Sequence, residues 1–163
     1  MAHPARNAPA ASILNPSRTF FVTTKAAMGK RLLQSERNAG LLIDVLRSLV
    51  AEGRFELHDF VIMPDHLHLL LTVRDGMSIE KAMQLVKGRF SHRLSKELGY
   101  PGEVWQLGFT EEQMMNRESF NAHGRYIAEN PVKSGLSAGV DEYPFRFGYL
   151  ARKKTNAKQG LKP

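Results

Sequence analysis

Residues 55–73 read FELHDFVIMPDHLHLLLTV, and this stretch decides the fold. Apolar, aromatic and β-branched residues fill 55–63, Pro64 and Asp65 interrupt, and an apolar run resumes over 66–73. Proline carries no backbone N–H and favours a turn, so the pattern predicts two strands joined as a tight hairpin. Side chains alternate between faces along a strand. His66 and His68 therefore share one face of the sheet while Leu67 points to the other.

Working outward, RTFFVTTK at 18–25 is rich in aromatic and β-branched residues and predicts an earlier strand. Ser35 is placed to cap a helix whose stripe runs through Ala39, Leu42, Ile43, Leu46, Leu49 and Val50 and ends before Gly53. Beyond the hairpin, Ser78 caps a second helix with Ile79, Ala82, Met83, Val86, Phe90 and Leu94 on one side, stopped by Gly99, Pro101 and Gly102. VWQLGFTEEQMM at 104–115 predicts a fourth strand. Asn116 opens a third helix with Phe120, His123, Gly124 and Ile127 at helical spacing, and Pro131 is expected to close it. The order β-α-β-β-α-β followed by a helix is the ferredoxin-like split βαβ plan, an α+β sandwich with one open sheet face and an added C-terminal helix. In that plan the strand carrying His66 and His68 lies inside the sheet, beside the first strand, where side chains are held rigidly.

Length and composition fit this reading. The 163 residues suit one domain, expected over 18–150. Tails are expected at 1–17, where Pro4, Pro9 and Pro16 lie among Ala and Asn, and at 151–163, the basic ARKKTNAKQGLKP. With 42% hydrophobic and 24% charged residues the chain is of globular type, not collagenous or low-complexity. It has no cysteine, which excludes thiolate metal sites, disulfides and cysteine nucleophiles and leaves nitrogen and oxygen to hold any metal. No apolar run approaches the roughly 18 to 20 residues of a membrane span, and the first residues lack a secretory apolar core, so a cytoplasmic protein without a membrane partner is expected. The 23 Lys and Arg against 16 Asp and Glu give +7, which favours polyanions.

Three features bear on chemistry. Two imidazoles side by side on a rigid strand form either a bidentate metal site or surface decoration. As ligands they leave positions for oxygen donors, which suits a Mg²⁺ or Mn²⁺ that also grips a phosphate. Tyr126 and Asn130, four apart, share a face of the third helix; taken alone, Tyr126 reads as a packing residue with a wet hydroxyl and Asn130 as a helix-end turn residue. Lys87, Arg89, His92 and Arg93 on the second helix, with Arg125 and Lys133 on the third, are either phosphate contacts or solvated basic faces. Trp105 and Phe109 either stack on bases or pack.

Four segments carry a resemblance: FELHDFVIMPDHLHLLLTV, SIEKAMQLVKGRFSHRL, VWQLGF and RYIAENPVKSGL. In this order, across about 18–150, the chain resembles the HUH single-tyrosine transposases, above all the REP-associated tyrosine transposases. The resemblance implies that His66 and His68 bind a divalent metal, Mg²⁺ or Mn²⁺, with Asn130 as third ligand. It implies that Tyr126 attacks a phosphodiester of single-stranded DNA in a hairpin-forming, REP-like sequence, making a 5′-phosphotyrosine link that a 3′-hydroxyl later reverses. Such a monomer or homodimer delivers its tyrosine helix within one chain or across a dimer. The stretch 109–115 departs from the pattern, with Thr110, Glu111 and Glu112 where relatives often carry aromatic, acidic or histidine residues. The alternative is a nucleic-acid-binding regulator, derived from such a transposase, that no longer cuts. Metal-dependent hydrolysis without a covalent step lacks the carboxylate cluster it would need.

Overall fold

Four strands and three helices follow the expected order in a computed structural model that describes residues 15, 16 and 18–148. The basic tail at 151–163, and all of the N-terminal tail except Asn15 and Pro16, lie outside the described residues. Strand β1 is Thr19–Lys25, helix α1 Glu36–Ala51, β2 Phe55–Met63, β3 His66–Val73, α2 Ile79–Leu98, β4 Thr110–Gln113 and α3 Arg117–Lys133. A single turn of 3-10 helix, Ala27–Gly29, follows β1. The sheet order is β2-β3-β1-β4 and every pair is antiparallel, which is the ferredoxin-like topology with β3 and β1 at its centre.

Local chemistry fixes the helix starts. The Ser35 hydroxyl accepts from Asn38 N at 3.1 Å, Ser78 from Lys81 N at 3.0 Å and the Asn116 side chain from Ser119 N at 2.8 Å. Each satisfies one backbone donor that the first turn leaves without a partner. Helix α2 ends at Gly99, whose φ of 70° places it in the left-handed region that glycine enters without steric cost.

The sheet is covered on both faces. Leu67, Leu69 and Leu71 of β3 join Val22 of β1 against Leu42, Leu46 and Leu49 of α1 and Val86, Phe90 and Leu94 of α2. On the opposite face Val61, Met63 and Leu70 pack with Met114, Ile127 and Tyr143. The face expected to be open is thus occupied, because α3 lies across β2 and β3 there. Its cause is legible in β3 itself: Leu69, Leu70 and Leu71 are consecutive, and a strand buried on both sides loses the apolar-polar alternation of a half-buried one. The outer edge of β2 is also covered. Ile62 N donates to Phe145 O at 2.8 Å and the Tyr143 hydroxyl to Ile62 O at 2.6 Å, so the segment after α3 runs along that edge.

Two expected boundaries shift. The strand expected over 104–115 is regular only at Thr110–Gln113. Upstream of it, Trp105 forms an isolated bridge with Ala26, and Gly108 turns the chain with φ 81°. Pro131 does not close α3, which continues to Lys133. A proline this near the end removes one backbone donor, and the last turn recovers with Ser134 N to Asn130 O at 3.0 Å and Leu136 N to Pro131 O at 2.7 Å. No helix among the described residues is long and apolar enough to cross a membrane.

Candidate active site

His66 and His68 share the α3 face of β3, as alternation requires, and their ring centroids are 4.7 Å apart. Each ring is held through Nδ1. His66 Nδ1 lies 2.7 Å from Asp65 Oδ1 in the hairpin turn, and His68 Nδ1 lies 2.8 Å from Thr23 Oγ1, directly across the strand pair. The turn is itself anchored, since Asp65 O accepts from Ala26 N at 2.9 Å and Pro64 O from Leu33 N at 2.8 Å.

His68 is 5% exposed, and its Nε2 is buried without a hydrogen-bond partner. Burial, reinforced by the neighbouring His66, pushes its pKa down to about 3, so the ring is neutral at physiological pH. An imidazole with its proton on Nδ1 and a bare Nε2 is the form that ligates metal. A buried polar atom without a partner is costly, and a cation at that position would satisfy it. The donor set therefore fits a divalent ion: two nitrogens, with room for oxygen ligands.

Helix α3 brings the phenol. Tyr126 is 42% exposed, and its ring centroid lies 5.4 Å from that of His68 in the same chain. Phe21 of β1 supports both rings, stacking on His68 at 5.2 Å and meeting Tyr126 edge-on at 5.9 Å. Phe21 also contacts His123 at 4.7 Å. His123 reaches Ser119 O through Nδ1 at 2.8 Å and Glu112 Oε1 through Nε2 at 3.2 Å. Glu112 thereby ties β4 to the helix that carries Tyr126.

These groups converge on one cavity of about 700 Å³, into which His66, His68 and Tyr126 all open. Thr23, Lys25, Asp65, Gln106 and Thr110 complete its polar wall. None of those five stood out as a site residue in the sequence, yet a signal was present: once β1 pairs with β3, Thr23 and Lys25 fall opposite His68 and His66. Asn130 is one turn beyond Tyr126 and buried, and it is not among the residues lining the cavity. Among the described residues no cluster of three His, Cys, Asp or Glu could hold a metal.

The expected phosphate contacts are scattered. Arg89 bonds Glu52 and Ser48, and Arg93 bonds Glu97 and Asp44, so both brace the α1–α2 layer on the far side of the sheet. Lys87 donates to Gln106 O at 3.1 Å and Gly108 O at 2.7 Å, holding the loop before β4. Lys133 pairs with Glu129 at 3.5 Å, whereas Arg125 is exposed beside Tyr126. Trp105 and Phe109 pack against the core; the Trp105 ring lies 5.5 Å from Phe90 and its Nε1 donates to Lys87 O.

The family described as "Transposase IS200 like" matches residues 23–130. A REP-associated tyrosine transposase of Escherichia coli (strain K12) is 29% identical over 92 residues, covering 56% of this chain and 53% of that protein. The ISDra2 transposase TnpA of Deinococcus radiodurans is 31% identical over 74 residues, 42% of this chain and 53% of that protein. The chain thus spans about half the length of the curated relatives it matches. A solved structure of a REP-associated tyrosine transposase bound to a REP hairpin superposes with a TM-score of 0.70 at 24% identity, covering 93% of this chain and 85% of that one, and shares the fold.

Proposed function

The chain belongs to the IS200-like transposase family, and from that premise we propose that it cuts and rejoins single-stranded DNA at hairpin-forming, REP-like sequences, with Tyr126 as nucleophile. One observation carries this reading: His66, His68 and Tyr126 of a single chain open into one cavity. Its volume leaves room for a phosphodiester.

In the proposed reaction the Tyr126 Oη attacks phosphorus in line, a tyrosyl O–P bond forms, and the P–O3′ bond breaks. The Tyr126 hydroxyl gives up its proton as the bond forms, and O3′ takes up one proton and leaves as a hydroxyl, so protons balance. The 5′ phosphate stays on the tyrosine. A phosphodiester is exchanged for a phosphodiester, so a 3′-hydroxyl of another strand reverses the step without ATP or water. His66 and His68 would present Nε2 to Mg²⁺ or Mn²⁺. Asn130, buried one turn past Tyr126 and outside the cavity lining, would serve as the third, oxygen ligand only by turning its side chain toward the cavity. Bound there, the ion would supply positive charge against the non-bridging oxygens. Phe21 sets the ring of Tyr126 at an angle to that of His68 and limits its swing. Arg125 is the exposed cation proposed to meet the flanking backbone.

The test is a labelled single-stranded hairpin incubated with the protein and Mg²⁺ or Mn²⁺. A covalent protein–DNA adduct is expected, and Tyr126→Phe should abolish it. An adduct that survives this substitution overturns the assigned nucleophile. Hairpin binding without adduct under either metal would instead identify a regulator that does not cut.

A further inference from the structure

One lysine lines the cavity, and the reaction proposed above gives it no role. Lys25 ends β1, pairs with His66 in the register of β1 and β3, and lines the cavity together with His66, His68 and Tyr126. Directly opposed residues on antiparallel strands hold their side chains within about 5 Å at Cβ, so the Lys25 stem rises beside the His66 ring. Its placement on the α3 face follows from Thr23, two residues earlier, which bonds His68 on that face. Lys25 is exposed and, among the described residues, takes part in no ion pair. The cavity's one carboxylate, Asp65, is turned to His66 Nδ1 instead. Lys87, Arg89, Arg93 and Lys133, by contrast, are each bonded to carbonyls or carboxylates of this chain. A cation left without an anion, in a cavity shared by a phenol and two imidazoles, is placed to receive one.

We propose that Lys25 holds the phosphate under attack, its ammonium bearing on a non-bridging oxygen and taking up the charge that grows there as Tyr126 adds. The inference rests on the cutting reading above and adds to it the residue that grips the reacting group. A diester carries one negative charge and the five-coordinate transition state carries more, so Lys25 contributes more to the rate of the chemical step than to binding.

Two measurements test it. In a Tyr126→Phe background, where nothing is cut, binding of a single-stranded hairpin oligonucleotide is followed against salt with Lys25 present and with Lys25→Met. Loss of one phosphate contact lowers the slope of log K against log salt by about 0.7. In the Tyr126 protein, single-turnover adduct formation should slow about 10²- to 10³-fold with Lys25→Met and recover most of the way with Lys25→Arg, while Mn²⁺ affinity stays the same. Equal slopes overturn the proposal, as do equal adduct rates, or an Arg variant no faster than Met. Absence of any adduct from the unaltered protein sinks the cutting reading, and the slope then still decides whether Lys25 holds a phosphate.

Discussion

Thr23 Oγ1 on β1 lies 2.8 Å from His68 Nδ1 on β3, and the two residues are direct partners in the strand register. The tautomer that a metal ligand requires puts the proton on Nδ1, where the threonine hydroxyl accepts it and fixes the ring. Thr23→Val keeps the shape and the β-propensity but removes the acceptor. Mn²⁺ affinity measured by calorimetry should fall about 10- to 100-fold. The buried Nδ1 left alone should cost about 1–2 kcal/mol in chemical denaturation. Unchanged Mn²⁺ affinity would mean that packing alone orients His68.

Arg89 and Arg93 are basic residues of α2 whose charges are directed at Glu52, Asp44 and Glu97. Arg89→Ala should therefore leave the salt dependence of hairpin binding as it is and lower the thermal midpoint slightly. Arg125→Ala, on the exposed side of the tyrosine helix, should reduce that slope by about 0.7 with little effect on the midpoint. A reversed pattern would place the DNA on the α1–α2 layer.

This contrast marks what the sequence discloses. Alternation along HLHLLLTV puts both histidines on one face, and Ser35, Ser78 and Asn116 announce helix starts, because these signals are local. Whether Arg93 meets a phosphate or Glu97 depends on which side chains come within reach after folding, and charge counting is blind to that. Thr23 and Lys25 became visible only with the β1–β3 register, a pairing between residues some 45 apart in the chain. Pro131 misled because its effect depends on how much helix remains beyond it, and only two residues do.

Burial pushes the Asp59 carboxyl up to about 6, against the opposing pull of the Phe60 N–H and of Arg146. An unfolded aspartate titrates near 4, so between about pH 4 and 6 the folded chain binds more protons than the unfolded one, and stability falls as pH rises through that window. Its contribution is fully present below pH 4 and gone above 6. Asp59→Asn keeps an oxygen for Phe60 N and removes the charge. It should stabilise the protein by about 1–2 kcal/mol at pH 8 and by nothing measurable at pH 3.5, compared in urea melts at the two values. An equal gain at both values would exclude the buried charge as the cause.

Tyr126 stands beside His68 of its own chain, ring centroids 5.4 Å apart, and α3 packs on β2 and on β3, the strand that carries both histidines. The proposed nucleophile thus stands beside a proposed metal ligand of its own chain, and the cutting reading predicts that the phenol is delivered internally. The consequence is measurable by mixing two defective proteins. His66→Ala removes an imidazole that is 24% exposed and lies outside the buried core clusters, and Tyr126→Phe removes only the hydroxyl. If tyrosine helices were exchanged between subunits, a mixture would assemble some composite sites with both groups intact, and adduct would reappear. With internal delivery every chain in the mixture lacks one essential group, so the adduct yield should not exceed the sum of the two proteins assayed apart, at any protein concentration. Recovery that grows with concentration would show that α3 leaves its own sheet for a partner's.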